Sequence, residues 1–210
     1  MEPTEGNLRA WEEAHRRIRR SSTRGSRTLP KPVRERLPDI AGRHVLHLSC
    51  GAGRETAALM SLGALVTGVD ASEPTIVAAR RRLPDAALVT ADPQALPVEL
   101  RRGRFDIVYS GWGALAELSD LNSWSGGIGA ALKHGGILFL YDEHPVAACL
   151  DQMLHWHESY FDGWPLGVLI HALGGAGLAL ERLEELPDPN RWGRRELRVP
   201  GDLIVVARKP

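Results

Sequence analysis

The residues best able to do chemistry fall in one stretch, His44 to Ser72. Val45 to Leu48 is a short, mainly apolar run that ends abruptly in Ser49, Cys50, Gly51, Ala52 and Gly53. That is the pattern of a buried parallel strand feeding a tight turn. Gly51 and Gly53 let a backbone turn sharply and approach a ligand with no Cβ in the way. Glu55 to Leu62 has helix-forming composition, so the turn opens onto a helix N-terminus, where free N–H groups attract anionic atoms. A second strand, Leu65 to Val69, ends in Asp70, about 20 residues past the start of the turn. One carboxylate there can accept both hydroxyls of a ribose diol, so the unit reads as a nucleoside-cofactor site. The plainer alternative is a βαβ corner whose Asp70 only caps the next helix, since Ala71-Ser72-Glu73-Pro74 is itself a helix start.

Such residues need a sheet to hold them, and 210 residues suit one α/β domain with a full core, or a domain plus a small cap. Further strands are expected at Ala87 to Thr90, Arg104 to Tyr109, Ile137 to Tyr141, Leu178 to Leu183 and Asp202 to Ala207. Helices are expected at Glu73 to Arg82, at Leu115 to Leu132 with an interruption near Ser125-Gly126-Gly127, and from Leu166 to Leu173, where Gly174-Gly175 end it. Residues 1–36 form an N-terminal arm, with a helical patch near Asn7 to Arg20 in which Trp11 and Ile18 can share a face. Residues 37–210 form the domain proper. A cap over the site and a disordered arm are both open for the N-terminal segment.

The formal net charge is zero, so no global field draws the chain to nucleic acid or membrane. Arginine far outnumbers lysine, which occurs only at Lys31, Lys133 and Lys209, but acidic residues are interspersed through the basic N-terminal segment. Two cysteines, Cys50 and Cys149, make no disulfide scaffold. The charged N-terminus lacks an apolar signal core, and no apolar run is long enough to span a bilayer. A cytoplasmic protein is expected, and the sequence sets no oligomeric state.

Val-Leu-His-Leu-Ser-Cys-Gly-Ala-Gly-Arg (45–54), followed by Val-Thr-Gly-Val-Asp-Ala-Ser (66–72), resembles motifs I and II of the class I S-adenosylmethionine-dependent methyltransferases. The resemblance runs from about residue 40 to 145, and more loosely to the C-terminus. It implies a Rossmann-like α/β sandwich whose seven-stranded sheet has the order 3-2-1-4-5-7-6, with strand 7 antiparallel. It places cofactor contacts at Ser49, Cys50, Gly51 and Gly53, at Asp70, Ala71 and Ser72, at Ala91, Asp92 and Pro93, and at Ser110, Gly111 and Trp112. Asp92 stands where the family's acid accepts the adenine amino group; its other role is to begin the turn before Pro93. Trp112 either walls the cofactor or packs under the following helix. Two positions depart from the family pattern: its acid on the first strand is His47 here, and its first glycine is Ser49. That acid normally helps hold the cofactor's methionine amino group, so the contact lacks its usual carboxylate. A subgroup with a Leu-His-Leu-x-Cys-Gly pattern is similar. Ala-Leu-Lys-x-Gly-Gly-Ile-Leu (131–138) resembles the family's post-helix motif.

The activity implied is methyl transfer from S-adenosylmethionine to a small-molecule acceptor, leaving S-adenosylhomocysteine. No Asn/Asp-Pro-Pro-aromatic tetrad follows Tyr109, which counts against a nucleic-acid base as acceptor. His144, after the fifth strand, is the candidate general base; a cofactor-gating loop, a structural histidine and a metal site with Asp142 and Glu143 compete, the last disfavoured because consecutive strand-end residues cannot all point one way. Residues 146–165, dense in aromatics and histidines, suggest a lid over the substrate, or else an interface. No metal site is expected, because His155 and His157 lack partners at helpful spacing. Two rivals remain: a non-methylating S-adenosylmethionine-binding protein or cyclase on the same fold, and an NAD-dependent oxidoreductase. Against the last, Thr56 stands at the third fingerprint position, where Gly or Ala would let helix and strand pack closely.

Overall fold

The computed structural model describes residues 28–111, 113–188, 191 and 198–210. Seven strands form one sheet: β1 (His44–Leu48), β2 (Leu65–Asp70), β3 (Ala87–Thr90), β4 (Phe105–Ser110), β5 (Leu132–Glu143), β6 (Ala179–Leu186) and β7 (Asp202–Arg208). Their spatial order is β3-β2-β1-β4-β5-β7-β6, the order expected from the sequence. β1, β2, β3, β4 and β5 pair in parallel, and β7 pairs antiparallel with both β5 and β6. β4 is buried along its whole length and β7 over its first six residues, as strands covered on both faces should be.

Helices α1 (Lys31–Arg36), α2 (Arg54–Ser61), α3 (Glu73–Arg82), α4 (Leu121–Ala131), α5 (Pro145–Ala148) and α6 (Leu166–Gly175) flank the sheet. One core gathers Trp124, Ile128, Leu169 and Leu173 against Leu46, Val108 and Leu138. The other joins Val33 and Leu59 to Val45, Ile107, Tyr109 and Phe139. Alternate side chains of β1 and β4 thus feed opposite faces. Of the expected N-terminal arm, residues 1–27 lie outside the described residues, while α1 docks through the fully buried Val33.

Three boundaries differ from expectation by more than two residues. The helix predicted over Leu115 to Leu132 is a 3-10 turn, Leu115–Glu117, followed by α4, because Asp120 accepts from Ser123 N (3.0 Å) and starts the helix afresh. Ser125-Gly126-Gly127 does not interrupt α4. A later glycine of the same helix is packing surface: a Cβ at Gly129 would lie 2.6 Å from Ala176 O, past the end of α6. β5 begins earlier than expected, at Leu132, through pairing with Phe105 across a register shift. β6 runs on to Leu186, held by its ladder to β7.

Candidate functional site

The turn after β1 is built by backbone conformation. Ser49 (φ 51°), Gly51 (φ 53°) and Gly53 (φ 76°) all adopt left-handed geometry. Serine at 49 therefore makes the turn that glycine would make, at a cost of roughly 1–2 kcal/mol. Cys50 N donates to Val69 O (2.9 Å) and Gly53 N to Cys50 O (3.1 Å), which locks the corner. Cys50 itself is a buried filler among Ile76, Ala79 and Leu88. Burial, then nearby Asp70, push its thiol up to about 12, so it carries no thiolate. Gly68 makes room for it, since a Cβ there would lie 3.0 Å from Cys50 Sγ.

Asp70 closes the corner from β2. Its Oδ2 accepts from Gly51 N (2.8 Å) and its Oδ1 from Ser72 N (2.9 Å). Each oxygen keeps a second lone pair for a ligand. Ser72 Oγ caps α3, accepting from Thr75 N (3.4 Å), and Ala71 is exposed between the two. A Cβ built at Gly51 would meet nothing within 4 Å, so the corner faces open space.

Beyond β3, Ala91 N donates to Asp70 O (3.0 Å) and Pro93 is buried. Asp92 is exposed, and its Oδ1 accepts from Gln94 N (2.8 Å), which is the turn-forming role. Gln94 then ties this loop to the approach to α4, its Oε1 accepting from Ser119 N (2.7 Å) and Asp120 N (2.6 Å).

At the end of β4, Ser110 pairs with Leu48, and its buried Oγ finds no partner among the described residues. Gly111 is buried beneath Glu55 of α2: a Cβ there would lie 2.3 Å from Glu55 Oε2. That carboxylate accepts from Tyr109 Oη (3.2 Å) and lies 4.0 Å from His47 Nε2. Burial raises the pKa of Glu55 and holds His47 down at about 3, so His47 is neutral. His47 Nδ1 is bound to Thr56 Oγ1 (2.9 Å), and its ring meets Tyr109 edge-on. Trp112 lies outside the described residues.

The loop after β4 is held from below by Asp142 of β5, whose carboxylate accepts from Gly113 N and Leu115 N, each at 2.7 Å. Burial lifts Asp142 to about 7 despite these bonds. Glu55 and Asp142 are the two site residues that sequence reasoning missed. The available signal for Glu55 was the absent acid at His47, which asks for a compensating carboxylate in the same corner.

His144, the expected proton acceptor, stands between β5 and α5. It is 4% exposed; its Nδ1 accepts from Val146 N (3.1 Å) and its Nε2 therefore donates to Glu185 Oε1 (2.8 Å) on β6. Both ring nitrogens are engaged, and the side chain braces the start of α5 against the far edge of the sheet. Between residues 146 and 165, Met153, Trp156 and Phe161 are exposed, and Trp164 Nε1 donates to Leu118 O (3.2 Å). Among the described residues no cluster of His, Cys, Asp and Glu could hold a metal, and no helix is long and apolar enough to cross a membrane.

Residues 46–140 match the methyltransferase domain family. The solved S-adenosylmethionine-dependent methyltransferase of Mesorhizobium loti superposes with a TM-score of 0.69 at 26% identity, over 84% of this chain and 95% of that one. Residues 46–140 are thus a methyltransferase domain, on the fold of the class I S-adenosylmethionine-dependent methyltransferases. An uncharacterized methyltransferase of Synechocystis is 38% identical over 112 residues, 52% of this chain and 51% of that protein. A trans-aconitate 2-methyltransferase of Delftia acidovorans is 30% identical over 105 residues, 49% of this chain and 39% of that protein. The chain thus spans about half the length, or less, of these curated relatives.

S-adenosylmethionine, the cofactor of this family, presents a ribose diol and an α-ammonium group. The methyltransferase domain here offers a matching acceptor for the diol, Asp70 with spare lone pairs beside an open Gly51. The residues present therefore fit the group.

Proposed function

We propose that this chain transfers a methyl group from S-adenosylmethionine to a small-molecule acceptor by in-line displacement. The observation that carries the reading is the Asp70 carboxylate, bonded to the glycine corner with open space at Gly51. When bound, the cofactor supplies an already activated methyl on a sulfonium. The chain's own work is then to position. Asp70 and the corner hold the ribose, and residues 113–115, fixed by Asp142, line the approach to the reacting centre. Residues 146–165 cover the acceptor and exclude water. Positioning of this kind removes on the order of 7 kcal/mol of barrier in favourable models.

The acceptor's nucleophilic atom attacks with a lone pair already free, as a carboxylate or an unprotonated amine does. The engagement of both His144 nitrogens supports this, because a hydroxyl acceptor would call for a base. The trans-aconitate methyltransferase relative supports a compact, small-molecule acceptor.

Incubation of the protein with methyl-labelled cofactor and pools of small carboxylates and amines tests the reading. Label should appear in one pool, with S-adenosylhomocysteine released in equal amount. Tight cofactor binding with no transfer into any pool would favour the non-methylating alternative, and binding of NAD in its place would overturn the cofactor itself.

A further inference from the structure

We infer that Glu55, on the helix after the glycine corner, replaces the missing strand β1 acid and binds the α-ammonium of the cofactor's methionine end. The inference rests on the cofactor reading above and adds a residue to it.

Asp70 ends β2 and the Asp92 turn follows β3, so the adenosine half extends over the β2–β3 side of the sheet. The amino-acid half must then run the other way, over the ends of β1 and β4. There the side chain of His47 stands at the place of the usual acid, and it is buried, neutral and bound to Thr56. A neutral imidazole supplies no counter-charge for an ammonium.

Glu55 supplies one. Its Oε2 lies over Gly111 so closely that a Cβ there would sit 2.3 Å away, which puts the carboxylate at the junction of β1 and β4. Among the described residues its partners are the Tyr109 hydroxyl and, at 4.0 Å, His47 Nε2; neither is a cation. Its side chain is 26% exposed, so one flank remains open to a ligand. Burial raises its pKa, the mark of a carboxylate that a neighbouring positive charge would stabilise. Tyr109 aims the carboxylate, with its ring stacked on Phe139 and its hydroxyl donating to Oε2. The acid has moved from the strand to the helix while serving the same point in space.

Calorimetric titration with two ligands tests this: S-adenosylhomocysteine, which carries the ammonium, and 5′-methylthioadenosine, which lacks the whole amino-acid end. For Glu55→Gln, affinity for S-adenosylhomocysteine should fall by about 10-fold or more, while that for 5′-methylthioadenosine stays at the wild-type value. Equal loss of both ligands would make Glu55 a structural residue and overturn the inference. Unchanged binding of both would overturn it too. Wild-type protein that binds neither ligand would defeat the cofactor reading itself. Should Glu55→Gln not fold, Glu55→Asp takes its place, keeping the charge but shortening the reach, with the same selective loss expected.

Discussion

The corner spanning residues 49–53 and the segment 146–165, the proposed cover of the acceptor, are constrained to very different degrees. In the corner, Cys50 N, Gly51 N and Gly53 N all have partners within the corner or on β2, and Cys50 fills the space beneath. In the later segment, Met153 is 73% exposed, Trp156 62% and Phe161 81%. Its bonds are mostly local, such as Asp151 Oδ1 accepting from Met153 N (2.7 Å) and His155 N (2.9 Å). Trp164, bonded to Leu118 O, joins it to the body. A ligand entering the corner meets groups already in place and imposes little ordering cost. Large apolar side chains in the later segment gain only when something covers them. The first region is suited to an invariant cofactor, the second to an acceptor that selects its own cover.

The contrast is broken most directly at Asp70. Asp70→Ala removes the acceptor for a ribose diol, so affinity for S-adenosylhomocysteine should fall by about 100-fold, the loss of two hydrogen bonds to a charged group. It also orphans Gly51 N and Ser72 N, and unfolding stability should drop by about 1–3 kcal/mol. Titration and chemical denaturation measure the two effects. Unaltered affinity would mean that the ribose lies elsewhere and that the corner is only a turn.

How far the sequence could be read follows from the range of the interactions. The β1–α2–β2 unit was legible because its determinants are local: apolar runs of strand length, glycines at a turn, an acid at the next strand's end. The strand order followed from the resemblance and is the observed one. The bond of His144 to Glu185 was not legible because that partner lies 41 residues on, across β7, and no local pattern announces it. Glu55 was overlooked because an acid in a helix's first turn already has a reason to be there, opposite the helix dipole. Gly126 and Gly127 suggested a break because helix propensity is a local reading, whereas α4 is held by its packing, with Gly129 against the end of α6, again a distant element.

Ser49 lies between these cases, since the sequence showed a departure without showing its effect. The backbone keeps the left-handed turn (φ 51°) without glycine. Ser49→Gly should therefore relieve about 1–2 kcal/mol of native strain while adding about 0.4–1 kcal/mol of unfolded-chain entropy. The net expectation is a gain of about 0.5–1 kcal/mol in denaturant unfolding, with cofactor affinity unchanged. A loss of stability would show that the serine is bonded into the corner and not merely tolerated there.

The smallest expected effect on stability belongs to the other region. Phe161 touches Tyr160 edge-on (ring centroids 5.5 Å apart) and is otherwise open to solvent, so Phe161→Ser should change unfolding stability by no more than about 0.5 kcal/mol. Cofactor affinity should not move either, because nothing in the corner leans on this ring. If the ring covers a bound acceptor, the acceptor's KM should rise by about 10-fold, since burying a phenylalanine side chain contributes about 1.5–3 kcal/mol. Steady-state kinetics with the acceptor found by label transfer separate these outcomes. A clear drop in stability with KM unchanged would make Phe161 part of the protein's own packing, and the two regions would then differ in degree rather than in kind.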